Sequence, residues 1–445
     1  MTRLTGLICL LALTAALFTA RDVSADPNHL DGLPIEGGVT PRHRPRGPTL
    51  TIDEVRALAL EGNADLEAAR AAAAEARGLL RQERAWANPE LDVDVEGVGG
   101  DEPGWDRAEI TWSASQRIEP FGTRRARSEG ARHGRDAALH SLAIARLDLL
   151  AEIERRFADA LAANARVAVF EEYDSLAVAM IRTVTALVEA GEVSPVEIDR
   201  VEAERAASAA QLRVATLERR DALRALARLW GGEEEDCGGV RGHLEIDARL
   251  PDRDSLLSAA IDLPDVELSN ARLKRAEAEA RLAGRARLPD VAVRGGVKRL
   301  SETGSQSYVG GVSVALPLFD RGGGGLDQAR ALERRARADR GAAIAGIRLD
   351  RASAHDALAA AIVNRRAMRE ETLPRIQAIH ASIREGYLRG KFGLLDLMEA
   401  HRSSLQGGLE YVEALRSLWI ARADLRRLTG GSPEWSAAME EGERE

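Results

Sequence analysis

The chain repeats itself with a period of about 200 residues, and this feature limits its possible folds more than any other. Asn63-Ala64-Asp65-Leu66-Glu67 returns as Leu263-Pro264-Asp265-Val266-Glu267, and Asn88-Pro89-Glu90-Leu91 returns as Leu288-Pro289-Asp290-Val291. Pro120-Phe121 corresponds to Pro317-Leu318-Phe319 with a small slip, Gly191 to Gly390, and Gly231-Gly232 to Gly430-Gly431. Anchors that keep nearly one register over such a distance mean duplication. The two copies are read as 49–232 and 251–431, joined by an acidic loop at 233–250 and followed by a tail at 432–445.

Within each copy the hydrophobic period changes along the chain. Ile52, Val55, Ala59, Gly62, Leu66, Ala69, Ala73, Ala76 and Leu80 follow three- and four-residue steps, which predicts one helix from Ile52 to about Ala87 with a coiled-coil seam of small residues. The period then drops to two. Leu91, Val93 and Val95 alternate with acids, and Ile110, Trp112 and Ala114 alternate with Thr and Ser, on either side of a Gly/Pro loop. That predicts a hairpin at 91–118, repeated at 291–316 through Val291, Val293, Val297, Val312, Val314 and Leu316. An apolar and a polar face suit a strand between lipid and a wet lumen. An ordinary half-buried hairpin explains the strands equally well. A long helix follows from Gly122 to Ala190, which at 1.5 Å per residue reaches roughly 100 Å. It breaks at the tip 190–195, and a further helix runs from Val196 to Trp230; the second copy has its own tip at 389–394. The fold class is therefore mainly α with a small β part, built twice from long coiled-coil hairpins.

The first 25 residues read as a secretory leader: Arg3, an interrupted apolar stretch from Leu4 to Ala20, and the small residues Val23-Ser24-Ala25 before the cut. An uncleaved anchor helix is the competing reading. A Pro/Gly-rich arm follows at 26–48. Cleavage removes Cys9 and leaves Cys237 alone, so the mature chain has no internal disulfide. The net charge of −9 argues against a nucleic-acid partner. No later segment has the roughly 18 unbroken apolar residues of a membrane helix, so any membrane crossing must use strands.

Catalytic patterns fail on inspection, and no cofactor is expected. The run Gly322 to Gly325 lacks the Lys and Ser/Thr of a phosphate loop and reads as slack between strand and helix. The His residues form no i, i+4 pair. Cys237, beside Glu233 to Asp236 and near His243, offers a soft-metal reading, but a solvated acidic connector explains it as well. Carboxylates at heptad spacing on the helices read as interhelical pairing. The sharpest local signals are the two tips. Gly191-Glu192-Val193-Ser194-Pro195 and Gly390-Lys391-Phe392-Gly393 have the Gly of a helix C-cap followed by the start of a new helix.

With these residues assembled, the mature chain resembles the TolC-like outer-membrane efflux proteins over nearly its whole length. Leu50 to Ala59 is similar to the family's opening helix, Tyr387 to Ala400 to its last turn-around, and Leu425 to Gly430 to its closing helix. Gln116 to Arg125 and Leu316 to Arg321 most resemble the heavy-metal branch typified by CzcC, although Gly322 to Gly325 replaces that branch's Asn-Arg-Gly. The resemblance implies a homotrimer in outer-membrane lipid, its protomers each giving four strands to one twelve-stranded barrel. Pro120, Phe121, Pro317 and Phe319 would be the barrel-to-helix corners. It also implies a periplasmic adaptor and an inner-membrane RND-type pump as partners. Gly191, Val193, Ser194, Pro195, Gly390, Phe392, Gly393 and Leu394 would meet the adaptor. Glu197, Asp199, Arg200 and Asp396 are the matching gate charges. The function so implied is a passive export duct, with divalent heavy-metal cations as the favoured cargo. The alternatives are a multidrug or protein-secreting channel of the same fold, or a periplasmic coiled-coil adaptor that never enters the membrane.

Overall fold

The computed structural model describes residues 47–98, 104–119, 121–258, 263–285 and 288–431. The leader, most of the Pro/Gly-rich arm, Pro120 and the tail at 432–445 lie outside the described residues.

Strand β1 (Thr49–Leu50) leads into α1 (Ile52–Gly62) and α2 (Ala64–Arg84). Thr51 and Glu54 form a reciprocal capping box at the start of α1, with the Thr51 N–H donating to the Glu54 carboxylate at 2.7 Å. The single helix expected over 52–87 is in fact two, and it ends at Arg84. Asn63 divides them: its backbone is extended, its Oδ1 accepts the Leu66 N–H at 2.9 Å, and its Nδ2 donates to the Leu229 carbonyl at 2.8 Å. A side chain that caps a helix so well competes with helix continuation.

Next come β2 (Glu90–Glu96), β3 (Glu109–Ile118), α3 (Thr123–Glu189) and α4 (Val196–Ala227). After the connector, which contains β4 (Gly239–Val240), and the short α5 (Arg253–Ser258), the order recurs: α6 (Pro264–Arg285), β5 (Asp290–Leu300), β6 (Gln306–Ala315) and α7 (Gly323–Ala367). Here the long helix is not uniform. A π-helical turn at Met368–Thr372 separates α7 from α8 (Leu373–Leu388), and α9 (Leu394–Leu428) closes the fold. Gly323 to Gly325, expected as slack, form the first turn of α7, and only Gly322 is a left-handed joint, at φ +66°.

The four long strands make one antiparallel sheet in the order β2-β3-β5-β6. Its register puts Leu91 opposite Ala114, Val93 opposite Trp112, Trp112 opposite Val297, and Val293 opposite Val312. All the apolar partners therefore share one face. That face points to solvent: Leu91 is 72% exposed, Trp112 55% and Val312 67%. On the polar face the middle of β3 is sheltered, with Thr111 and Ser113 at 8% and 1% exposure, while Asp94, Glu96, Ser307 and Ser313 towards the sheet edges are exposed. A soluble half-buried hairpin has the opposite polarity. Gly296 is required where β3 and β5 meet, because a Cβ there would lie 2.2 Å from the Trp112 carbonyl oxygen.

The main helical core gathers Val55, Ile153, Phe157, Leu226, Leu358 and Leu418 around the connector. Burying each large side chain contributes about 1.5–3 kcal/mol. The acids Glu233, Glu235 and Asp236 of the connector are exposed, but its Cys237, Val240 and Ile246 pack into this core. β4 pairs in parallel with β1, Gly47 and Gly238 cross so closely that a Cβ on either would strike backbone, and the Trp419 indole donates to the Leu244 carbonyl at 2.9 Å. Cys237 is 1% exposed within this core, its thiol pushed up by burial, while His243 is exposed. Cys237 is thus a packed core residue rather than part of a metal site. On the helices, Arg155–Asp424, Arg416–Asp159 and Arg166–Glu413 pairs cross between α9 and α3 at 2.6, 2.7 and 2.7 Å.

Candidate functional site

Both tips reverse the chain with the same backbone device. In the first, the Gly191 N–H donates to Val188 O and the Glu192 N–H to Leu187 O, each at 2.9 Å. In the second, Gly390 donates to Tyr387 O at 2.9 Å and Lys391 to Gly386 O at 2.8 Å. These are paired Schellman bonds, and both need a left-handed residue at the first position after the cap. Gly191 and Gly390 supply it at φ +76° and +70°.

The helices that follow start differently. At α4, Ser194 and Pro195 are exposed, and Ser194 Oγ accepts the Val196 N–H only at a long 3.4 Å. At α9, Gly393 has no side chain to cap with, so Asp396 reaches back and its carboxylate accepts the Gly393 N–H at 2.9 Å. Asp396, read from sequence as a gate charge, is therefore engaged as a helix cap.

Side-chain placement revises the contact surface as well. Leu394 is 3% exposed and packs with Met180, Val184, Val201, Tyr387 and Leu397, so it belongs to the core between the two hairpins rather than to their surface. Phe392 folds back over Gly386, where a Cβ would come 2.3 Å from its ring, yet it remains 45% exposed. Val193 is half-buried. The apolar side chains that do face outward include Val196, Leu388 and Leu395, at 54%, 57% and 64% exposure. Sequence reasoning missed these three. Their signal was available, since each directly flanks one of the assigned tips, 190–195 or 389–394.

Of the other gate candidates, Asp199 and Arg200 are exposed on the first turns of α4 and make no ion pair among the described residues. Glu197 is half-buried, with Oε2 shut from solvent and unpartnered. The Tyr387 hydroxyl is likewise buried without a partner; burial, and secondarily the Glu197 charge, push its pKa up. Above the tips, α4 and α9 are joined by Glu204, which accepts two bonds from Arg402 at 2.9 and 2.5 Å and one from the Tyr173 hydroxyl at 3.0 Å. The Arg402 guanidinium holds the Glu204 carboxyl below its usual range. His401 stacks on Tyr173 with ring centroids 4.0 Å apart, and burial pushes its pKa down to about 4.

At the sheet end, Phe121 is 46% exposed and Phe319 fully so, and Leu316 and Leu318 on either side of Pro317 are also exposed. The Arg285 guanidinium bonds the Gly122 carbonyl, and Asp320 Oδ1 accepts the Gly322 N–H at 2.8 Å, fixing both joints between strand and helix. Among the described residues no three His, Cys, Asp or Glu side chains converge as metal ligands, and no helix is long and apolar enough to cross a membrane.

The chain is similar to the cobalt-zinc-cadmium resistance protein CzcC of Cupriavidus metallidurans, at 28% identity over 86% of this chain and 90% of that one. Its fold matches the Campylobacter jejuni CmeC outer membrane channel at a TM-score of 0.73, with 19% identity over 88% of this chain and 87% of that one. It matches CusC at a TM-score of 0.75, with 18% identity over 86% and 92%. The model of the family described as outer membrane efflux protein matches twice, at residues 55–232 and 257–431. Two matches that each contain a strand pair, a long helix and a tip account for most of the chain, and the chain belongs to the outer membrane efflux protein family.

Proposed function

We propose that three copies of this chain form a passive duct for heavy-metal cations, closed into one barrel at the outer membrane and docked on a periplasmic adaptor and an RND-type pump at the tips. The polarity of the sheet carries the reading. An apolar face turned to solvent, opposite a face of Asp, Glu, Thr, Ser, Arg and Lys, fits lipid outside and water inside. The strands β2 and β6 are open edges in a four-stranded sheet, too small to close alone. Three copies joined edge to edge remove every edge.

Metal cargo is supported by the likeness to a cobalt-zinc-cadmium resistance protein. The adaptor would meet Val193, Ser194, Pro195 and Phe392 together with Val196, Leu388 and Leu395. Glu197, Asp199 and Arg200, repeated by three-fold symmetry, would ring the tunnel mouth; Asp396 shapes that ring by capping α9. The chain acts as a conduit rather than an enzyme. Detergent-extracted protein is expected at about three times the subunit mass, and gene deletion is expected to sensitise cells to cobalt, zinc or cadmium. A stable monomer in plain buffer would remove the barrel. Unchanged metal tolerance with new sensitivity to dyes or antibiotics would move the cargo to organic compounds.

A further inference from the structure

The four joints between strand and helix lie at one end of the sheet, because its register sets Glu90 opposite Ser115, Ile118 opposite Val291, and Asp290 opposite Ala315. Charge there has the opposite sign to the rest of the chain. Residues 77–90, 115–136, 271–290 and 315–340, which lead through the joints, hold 21 Arg and Lys against 12 Asp and Glu, whereas the remaining residues hold 41 against 59. The apolar face continues into the same region. Leu316 and Leu318 stay exposed in step with Val312 and Val314 on β6. Gln116, which shares the face of Trp112 on β3, donates to the Ala87 carbonyl at 2.9 Å and so brings the corner before β2 to that face. At this corner Trp86 is 61% exposed, and the Arg124 guanidinium lies 4.2 Å from its ring centroid while donating to the Arg84 carbonyl at 3.2 Å.

We propose that Arg84, Arg124 and Arg321 bind the headgroup phosphates of anionic phospholipids in the periplasmic leaflet, with Trp86 and Phe319 lying against the upper acyl chains. The site rests on the reading of the sheet as the lipid-facing part of a barrel. Aromatic rings with cations beside them suit the boundary between acyl chains and headgroups, where each group meets the medium it prefers. The planar guanidinium matches a phosphate with two parallel N–H bonds.

The acids near the joints are engaged elsewhere. Arg127 pairs with both Glu83 and Glu119 at 2.7 Å, Glu129 accepts from Arg125 and Arg281, and Asp320 accepts the Gly322 N–H. Arg84 and Arg321 are exposed, and among the described residues neither they nor Arg124 form an ion pair. Arg124 also stands in the first turn of α3, where the helix dipole disfavours a cation and no acid compensates it. An anion from outside the chain relieves that repulsion. Closing the sheet edge to edge sets the β2 corner of one copy, with Arg84 and Trp86, beside the β6 corner of the next, with Phe319 and Arg321. One lipid then touches cations of two chains.

The test is native mass spectrometry of the full chain extracted in detergent, with phosphatidylglycerol or phosphatidylcholine of the same acyl chains added. Preferential retention of phosphatidylglycerol is expected. Arg84→Gln and Arg321→Gln, both at exposed positions, should each lower that retention roughly fivefold and leave phosphatidylcholine unchanged. Arg334→Gln removes the same charge from an exposed position about three turns further along α7 and should have no effect. The same spectra separate the two readings. A monomer would remove the barrel itself, whereas a trimer that retains both lipids equally would overturn the anionic site alone. Equal loss in Arg334→Gln would replace the site with a mere effect of net charge. Displacement of phosphatidylglycerol by inorganic phosphate would assign the arginines to a free anion and overturn the lipid.

Discussion

The two tips share a reversal and differ in almost everything around it. Gly191 and Gly390 use the same left-handed geometry and the same pair of backbone bonds. The first tip then opens α4 through an exposed Ser-Pro pair, while the second closes on itself, with Phe392 over Gly386 and Asp396 capping α9. Behind the first tip α3 is an unbroken helix of 67 residues. Behind the second, the π-turn at Met368–Thr372 interrupts the equivalent helix, and Pro374 follows at the start of α8. Duplication thus conserved what the backbone strictly requires and left the side-chain solutions free to diverge.

The largest effect that tests this comparison comes from His401, which packs the second hairpin against Tyr173 of the first. Burial keeps it neutral, with a pKa of about 4 against an ordinary 6.5. The unfolded chain binds the extra proton between those values, so stability is full above about pH 6.5 and declines as pH falls towards 4. The loss across that window is on the order of 3 kcal/mol. His401→Phe should flatten this part of a pH-dependent melting series, and an unchanged slope would mean that another group carries it.

Gly386→Val comes next, because its Cβ would meet the Phe392 ring at 2.3 Å. Overpacking of this kind costs about 1–3 kcal/mol and should release Phe392, seen as faster amide exchange at the second tip only. Gly191→Val and Gly390→Val should each cost about 1–2 kcal/mol, equally, since both place a Cβ in a left-handed residue with open space around it. For Gly390→Val, outer-membrane trimer levels should stay near normal while export and crosslinking to the adaptor fall; unchanged export would mean that the glycine is only a cap. The smallest effect is Asp396→Ala, about 0.5–1 kcal/mol from the lost cap, confined to the start of α9. A full block of export in that variant, with stability unchanged, would return Asp396 to the gate.

What the sequence determined by itself was periodic. The strand pairs followed from alternation, the long helices from three- and four-residue steps, and the tip reversals from glycine, because each depends on backbone chemistry within a few residues. The tertiary structure decided matters of orientation. Alternation shows that Leu91, Val93 and Trp112 share a face, but only the folded sheet shows that this face is the exposed one. The seam through Gly62 and Leu66 continues unbroken in sequence, yet Asn63 interrupts it because the Leu229 carbonyl lies within reach. Cys237 looked solvated among acids until β1 and the crossing at Gly47 closed over it. Leu394 and Leu395 are equivalent by composition, and the rotation of α9 against α3 buries one and exposes the other. His380 and His401 face each other across one hairpin, at similar distances from its tip, but Tyr173 comes from α3 in the other copy, and no local pattern announces its stack on His401. Local rules set the elements, whereas contacts between long helices depend on their mutual rotation and register, which are properties of the whole packed molecule.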